Sequence, residues 1–308
     1  MRPSVQTIAI ALTSLAAITP CTARAQQDPP TTSSPALGRA LPAVNGTTIR
    51  CPLPVPRSAE QQAAQFDTRP RDLDQMSVMA KQFMDGDSPA AVAFRKAQAE
   101  QRASDWAFLC RYRDANAAIL ASGERPDAVF MGDSITEGWI EAHPGFFAKH
   151  HYVDRGVSGQ SSPQMLVRFI EDVVALRPRV VHLMAGTNDI GGATGAITMD
   201  EFIANITAMI DIAQAHGIKV VLAGIPPMSR LLPRPEFDVR PVVKTMNARL
   251  EQLARRRGVV WVNYYSPLVD PSGAFDPRLA NDGVHPTRAG YSVMEPLAES
   301  AIEKALSR

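Results

Sequence analysis

Asp127-Ala128-Val129-Phe130-Met131-Gly132-Asp133-Ser134-Ile135 is the stretch that decides the fold. Its four apolar residues show no polar alternation, which predicts a strand buried on both faces, as in a parallel sheet between two helical layers. Gly132 and Asp133 break that run, and a helical pattern begins at Ser134, so a serine hydroxyl stands where a strand hands over to a helix. Such a position exposes a nucleophile. The helix N-terminus adds unsatisfied N–H donors and the positive end of its dipole, both suited to a developing anion.

Further apolar runs follow at Tyr152-Val153, Val180 to Met184, Lys219 to Ala223 and Val259 to Val262. Between them lie helix patterns. One starts at Ser162 with Pro163 in its first turn, turns Leu166, Phe169, Ile170 and Val173 to one side, and stops before Pro178. The next opens with a capping box, Thr198 with Glu201, buries Phe202, Ile203, Ile206, Ile210 and Ala213, and ends at Gly217. Another runs from Arg240 through Val243, Met246, Leu250 and Leu253 to Gly258, and the last covers Thr287 to Leu306, where Pro296 is expected to kink or split it. Five strands alternating with helices predict an α/β fold with a doubly wound parallel sheet, whose ligand site lies beyond the strand carboxyl ends. No internal repeat or phosphate-cradling glycine loop is visible.

Ahead of this domain, assigned to 126–308, the chain reads as three different segments. Arg2, the apolar run Ile8 to Ile18 and the small residues Ala23 and Ala25 predict a signal peptide over 1–25, too short to span a bilayer, and hence a periplasmic or secreted protein without a stable membrane anchor. Residues 26–68 are rich in Pro, Ser and Thr and predict a linker or extended wrap. Residues 69–125 place Leu73, Met76, Met79, Ala80, Phe83, Val92, Phe94, Trp106, Leu109 and Ile119 at mostly helical intervals and predict a helical N-terminal extension.

Loss of residues 1–25 removes Arg2, Arg24 and no acid, leaving 30 basic against 31 acidic residues and a formal charge of −1. This balance argues against nucleic acid or an anionic membrane surface as a partner. The same cut leaves two cysteines, Cys51 and Cys110, which an oxidising compartment is expected to pair. The bridge would close a loop of about 60 residues, worth roughly 4 kcal/mol in the chain-entropy description.

Gly-Asp-Ser alone is ordinary turn and cap chemistry, and Gly86-Asp87-Ser88, just before Pro89, repeats the letters where a helix cap is expected. Three further segments strengthen the reading at Ser134. Arg155-Gly156-Val157-Ser158-Gly159-Gln160 follows the second strand, and the Gly159 N–H can meet an oxyanion. Gly186-Thr187-Asn188-Asp189 follows the third, where the Asn188 amide offers another donor. Asn281-Asp282-Gly283-Val284-His285-Pro286 precedes the final helix, with Asp282 and His285 spaced so that the carboxylate can hold one ring nitrogen while the other faces Ser134. By itself this last segment also suits an Asx-turn beside a partly exposed histidine.

Together these blocks resemble those of the SGNH (GDSL-type) hydrolase family, in order, over about Asp127 to Leu306, with surrounding words similar to bacterial esterases and platelet-activating-factor acetylhydrolase-like members. The resemblance implies a flavodoxin-like SGNH fold, a five-stranded parallel sheet with helices on both faces. It implies Ser134 as nucleophile, Asp282 and His285 completing a triad, and an oxyanion hole of Ser134 N–H, Gly159 N–H and the Asn188 side chain. No cofactor is required, and His143, His150, His151, His182 and His216 show no metal-ligand spacing. An α/β-hydrolase elbow is disfavoured because Thr136, not glycine, stands two residues after Ser134.

The expected activity is hydrolysis of carboxylic esters through an acyl-serine, rising with pH as His285 loses its proton. Short-chain or O-acetyl esters are favoured, with carbohydrate deacetylation foremost and Trp139 or Tyr291 stacking on sugar, while Trp139 and Ile190 are candidates for the substrate pocket. The alternatives are a lipid or lysophospholipid esterase, a thioesterase, and a non-catalytic carbohydrate-binding module on the same fold.

Overall fold

In a computed structural model of the 308-residue chain, residues 41–42, 48–49, 66, 72–231, 234–280 and 282–308 are described. The expected signal peptide, Cys51 and most of the Pro-rich stretch lie outside them. Within that stretch β1 (Leu41–Pro42) and β2 (Thr48–Ile49) pair antiparallel, so it is not wholly irregular. Pro42 can take part because a two-strand pair leaves the side facing away from its partner without ladder bonds.

Three helices then precede the sheet, α1 (Leu73–Asp85), α2 (Pro89–Ser104) and α3 (Arg113–Ser122). The first two starts have a local cause. Asp72 accepts from the N–H groups of Asp74 and Gln75, and Ser88 accepts from Ala91 with Pro89 at the first helical position. The second Gly-Asp-Ser is therefore a helix cap. Val92 (47% exposed), Trp106 (39%) and Leu109 are exposed. Ala91 is the buried side of α2, and Trp106 is held by its carbonyl, which accepts from Gln164, rather than by its ring.

The sheet contains β3 (Ala128–Gly132), β4 (Tyr152–Gly156), β5 (Val180–Leu183), β6 (Lys219–Ala223) and β7 (Val260–Val262). All pairings are parallel, in the order β4-β3-β5-β6-β7. Both faces are apolar at a period of two. Val129, Met131, Val181, Leu183, Val220 and Leu222 pack toward α6 (Ser162–Phe169), α8 (Met199–Ala215) and α9 (Arg240–Arg257). Ala128, Phe130, Val180, Val221, Ala223, Val260 and Val262 pack toward α4 (Ser134–Ala142), α5 (Pro144–Lys149) and α11 (Arg288–Leu306). The short helices α7 (Thr187–Gly191) and α10 (Tyr265–Leu268) sit after β5 and β7.

Two expectations about helices are corrected. A π turn over Ile170–Val174 follows α6, with Ala175 N–H reaching the Ile170 carbonyl at 2.8 Å. The buried side is formed by Met165, Arg168, Phe169, Asp172 and Val173, and Ile170 lies off it and is exposed. Pro296 does not split α11, which runs unbroken through it. Pro296 and Ser292 are both exposed, so the Ser292 carbonyl that loses its N–H partner faces solvent.

Candidate active site

The strand carboxyl ends meet the first turn of α4. Gly132 and Gly156 are register partners on β3 and β4, and both make room for that turn. A Cβ on Gly132 would lie 2.0 Å from Thr136 Oγ1, and one on Gly156 would lie 2.1 Å from Glu137 N. Asp133 caps the helix through the Ile135 N–H at 2.9 Å, which leaves Ser134 at the first helical position. Burial pushes the Asp133 carboxyl up to about 6, against the opposing pull of that N–H and of His285.

Ser134 Oγ lies 2.8 Å from His285 Nε2, and His285 Nδ1 lies 2.7 Å from Asp282 Oδ2. Ser134 is 8% exposed and His285 9%. The other Asp282 oxygen accepts from the backbone N–H groups of Val284 (2.9 Å) and His285 (2.7 Å). The Asx-turn and the hydrogen-bonded chain are thus one arrangement, each using one carboxylate oxygen. Burial would raise Asp282, but the His285 charge and these hydrogen bonds together hold it below the usual carboxylate range. A charged Asp282 makes Nδ1 the donor, so Nε2 is left to accept the serine proton.

Gly159 sits at φ +79°, and its N–H has no acceptor among the described residues. Asn188 lies in the first turn of α7, and its Nδ2 donates to the Gln160 carbonyl at 3.0 Å, with a long 3.4 Å approach to Asp133 Oδ2. The Gly159-bearing loop and the Asn188-bearing turn are therefore tied together next to Ser134. This set of groups can take a proton from a hydroxyl and surround an oxyanion with donors.

Trp139 and Tyr291 do not reach a substrate. Both rings are fully buried, stacked on each other at 5.6 Å, and the Tyr291 hydroxyl donates to the Ile135 carbonyl at 2.8 Å. They support α4 from beneath, because an apolar helix face points to the sheet and not to the strand ends. Ile190 is partly buried against the core beside α8 and α9. Cys110 is disulfide-bonded, and its expected partner Cys51 lies outside the described residues. His182 is a core residue. It stacks on Phe130, bonds the Tyr264 hydroxyl at 2.9 Å, and is pushed down to about 3 by burial. Among the described residues no group of three or more His, Cys, Asp or Glu could hold a metal ion.

Sequence reading missed the polar residues behind the site. Arg168 is fully buried and donates to the Gly132 carbonyl (3.0 Å), Gln160 Oε1 (2.5 Å) and Asp172 Oδ2 (2.9 Å). Asp189 accepts from the Ser162 N–H and hydroxyl, which joins α7 to the start of α6. Gly283 also borders a cavity of about 420 Å³, lined among others by Leu73, Arg230, Phe237, Asp270 and Phe275. Arg230 is paired there with Asp74 of α1.

The family model for GDSL-like lipase/acylhydrolase proteins matches residues 130–293. A proposed acylhydrolase from Bacteroides fragilis NCTC 9343 is 44% identical, covering 66% of this chain and 99% of its own, with a TM-score of 0.62. A GDSL-like lipase from Bacteroides thetaiotaomicron VPI-5482 is 43% identical over 66% of this chain and 100% of its own, also at 0.62. A proposed platelet activating factor protein from Streptococcus pneumonia, 22% identical over 69% and 99% of the two chains at a TM-score of 0.59, shares the fold. No curated protein matches the sequence.

Proposed function

This chain belongs to the GDSL-like lipase/acylhydrolase family, and from that premise we propose that it is an exported serine esterase acting on short-chain or O-acetyl carboxylic esters, with acetylated carbohydrate as the favoured substrate. The observation that supports the chemistry best is the unbroken Ser134–His285–Asp282 hydrogen-bonded chain at the N-terminus of α4.

His285 Nε2 takes the Ser134 proton as Oγ attacks the ester carbonyl, and the bond to the alcohol breaks on a proton returned from His285. Water then repeats the sequence on the acyl-serine and releases the acid. The tetrahedral oxyanion is met by the N–H groups of Ser134 and Gly159 and by the Asn188 amide. Asp282 remains charged across neutral pH and stabilises the imidazolium that forms.

The small exposure of Ser134 and His285 favours a compact acyl group. Export rests on the sequence of residues 1–25; among the described residues no helix is long and apolar enough to cross a membrane.

Hydrolysis of p-nitrophenyl esters from acetate to palmitate by the mature protein, with Ser134→Ala alongside, tests this reading. The expected result is turnover that depends on Ser134 and is highest on acetate. A preference for long chains would replace carbohydrate with lipid esters, and turnover unaffected by Ser134→Ala would remove the nucleophile.

A further inference from the structure

Residues 106–112 lie ahead of the span that the family model covers, yet they hold the loop that carries Gly159 from below. Arg111 Nη2 donates to Glu137 Oε1 at 2.5 Å, the two side chains being 25% and 7% exposed. The second Glu137 oxygen accepts from the Ser158 N–H at 3.0 Å and from the Ser158 hydroxyl. The Tyr112 hydroxyl donates to the Gly156 carbonyl. On the far side of Gly159, Gln160 Nε2 donates to the Ala107 carbonyl at 3.0 Å.

Gly159 itself has little to fix it. It lacks a side chain, stands at φ +79°, and meets nothing within 4 Å of where a Cβ would be. Its direction is set by its neighbours, and Ser158 is fixed through Glu137. Charge-assisted hydrogen bonds are the stronger and more directional kind, and a buried carboxylate deprived of its cation is costly and rearranges. An oxyanion donor accelerates the reaction only when it is already aimed at the place where charge develops.

We propose that Arg111 is a positioning residue for the reaction: acting through Glu137 and Ser158, it holds the Gly159 N–H in line with the oxyanion, which makes the segment before α3 part of the active-site framework. The inference rests on Ser134 being the nucleophile and Gly159 an oxyanion donor.

The test uses the full mature protein with Arg111→Met, Arg111→Lys, Glu137→Gln and Ser134→Ala on p-nitrophenyl acetate. Active sites are counted by complete labelling with a fluorophosphonate, so that loss of folded protein is separated from loss of rate. Removing an oxyanion donor costs ~10²–10³ in rate, and misdirecting one of three is expected to cost ~10-fold or more. Arg111→Met should therefore lower kcat per labelled site about tenfold with KM within about twofold, and weaken a boronic-acid transition-state analogue in parallel. Arg111→Lys should recover part of that loss. Wild-type kcat per labelled site in Arg111→Met would overturn the proposal while Ser134→Ala remains inactive. Should Arg111→Met not fold, unchanged kcat per site in both Arg111→Lys and Glu137→Gln would overturn it equally. Full turnover in Ser134→Ala would overturn the underlying reading and this one with it.

Discussion

Gly132 and Gly156 face one another across β3 and β4, and neither has room for a Cβ beneath the first turn of α4. This close approach of helix to strand ends sets Ser134 at the edge of the sheet. Gly156→Ala would drive its methyl group toward the backbone of Glu137, which cannot give way as a flexible side chain would. We expect a loss of about 1–3 kcal/mol in urea unfolding, the usual range for overpacking, together with a fall in kcat. Unchanged stability would mean that α4 can move away without cost.

Asn188→Ala tests the oxyanion hole. Nδ2 is anchored by the Gln160 carbonyl, so the amide is already oriented before substrate arrives. Turnover should fall roughly a hundredfold or more, equivalent to about 3 kcal/mol, with a small change in Tm. Unimpaired kcat would exclude Asn188 from the site.

Asp282→Asn addresses the hydrogen-bonded chain. An amide in place of the carboxylate can present an N–H to Nδ1 and favour the wrong tautomer of His285. In a serine protease triad that change lowers kcat by about 10⁴, and a fall of several orders of magnitude is expected here while fluorescence-detected unfolding changes little. A fall of less than tenfold would show that the tautomer is set by other groups.

Asp154 offers a pH test away from the chemistry. Burial raises its carboxyl to about 7, opposed by the Gly156 N–H, and Oδ2 has no hydrogen-bond partner. An acid whose pKa is raised on folding favours the fold while protonated and loses that contribution as pH climbs from about 4 through 7. Asp154→Asn removes the titration and can keep the Oδ1 contacts. Its Tm should approach that of the wild type at pH 5 and exceed it at pH 8, and parallel Tm profiles would refute the assignment.

Cys110 is disulfide-bonded, and we propose Cys51 as its partner. Thiol titration of the denatured mature protein should find no free thiol before reduction and two after it. Two free thiols without reductant would refute the bridge.

The sequence by itself determined the strands, their alternation with helices, and the four blocks bearing Ser134, Gly159, Asn188 and Asp282 with His285. Buried parallel strands read as short apolar runs, and turn residues at strand ends mark where a site can form. Only the tertiary structure decided that Trp139 and Tyr291 stack inside the core and that Arg111 meets Glu137, Arg168 meets Gly132 and Asp189 meets Ser162. Apolar periodicity says which side of an element is buried, because burial is non-directional and any apolar neighbour suffices. A buried polar group needs one partner at one distance and angle, and that partner is chosen by how the crossovers bring remote segments together.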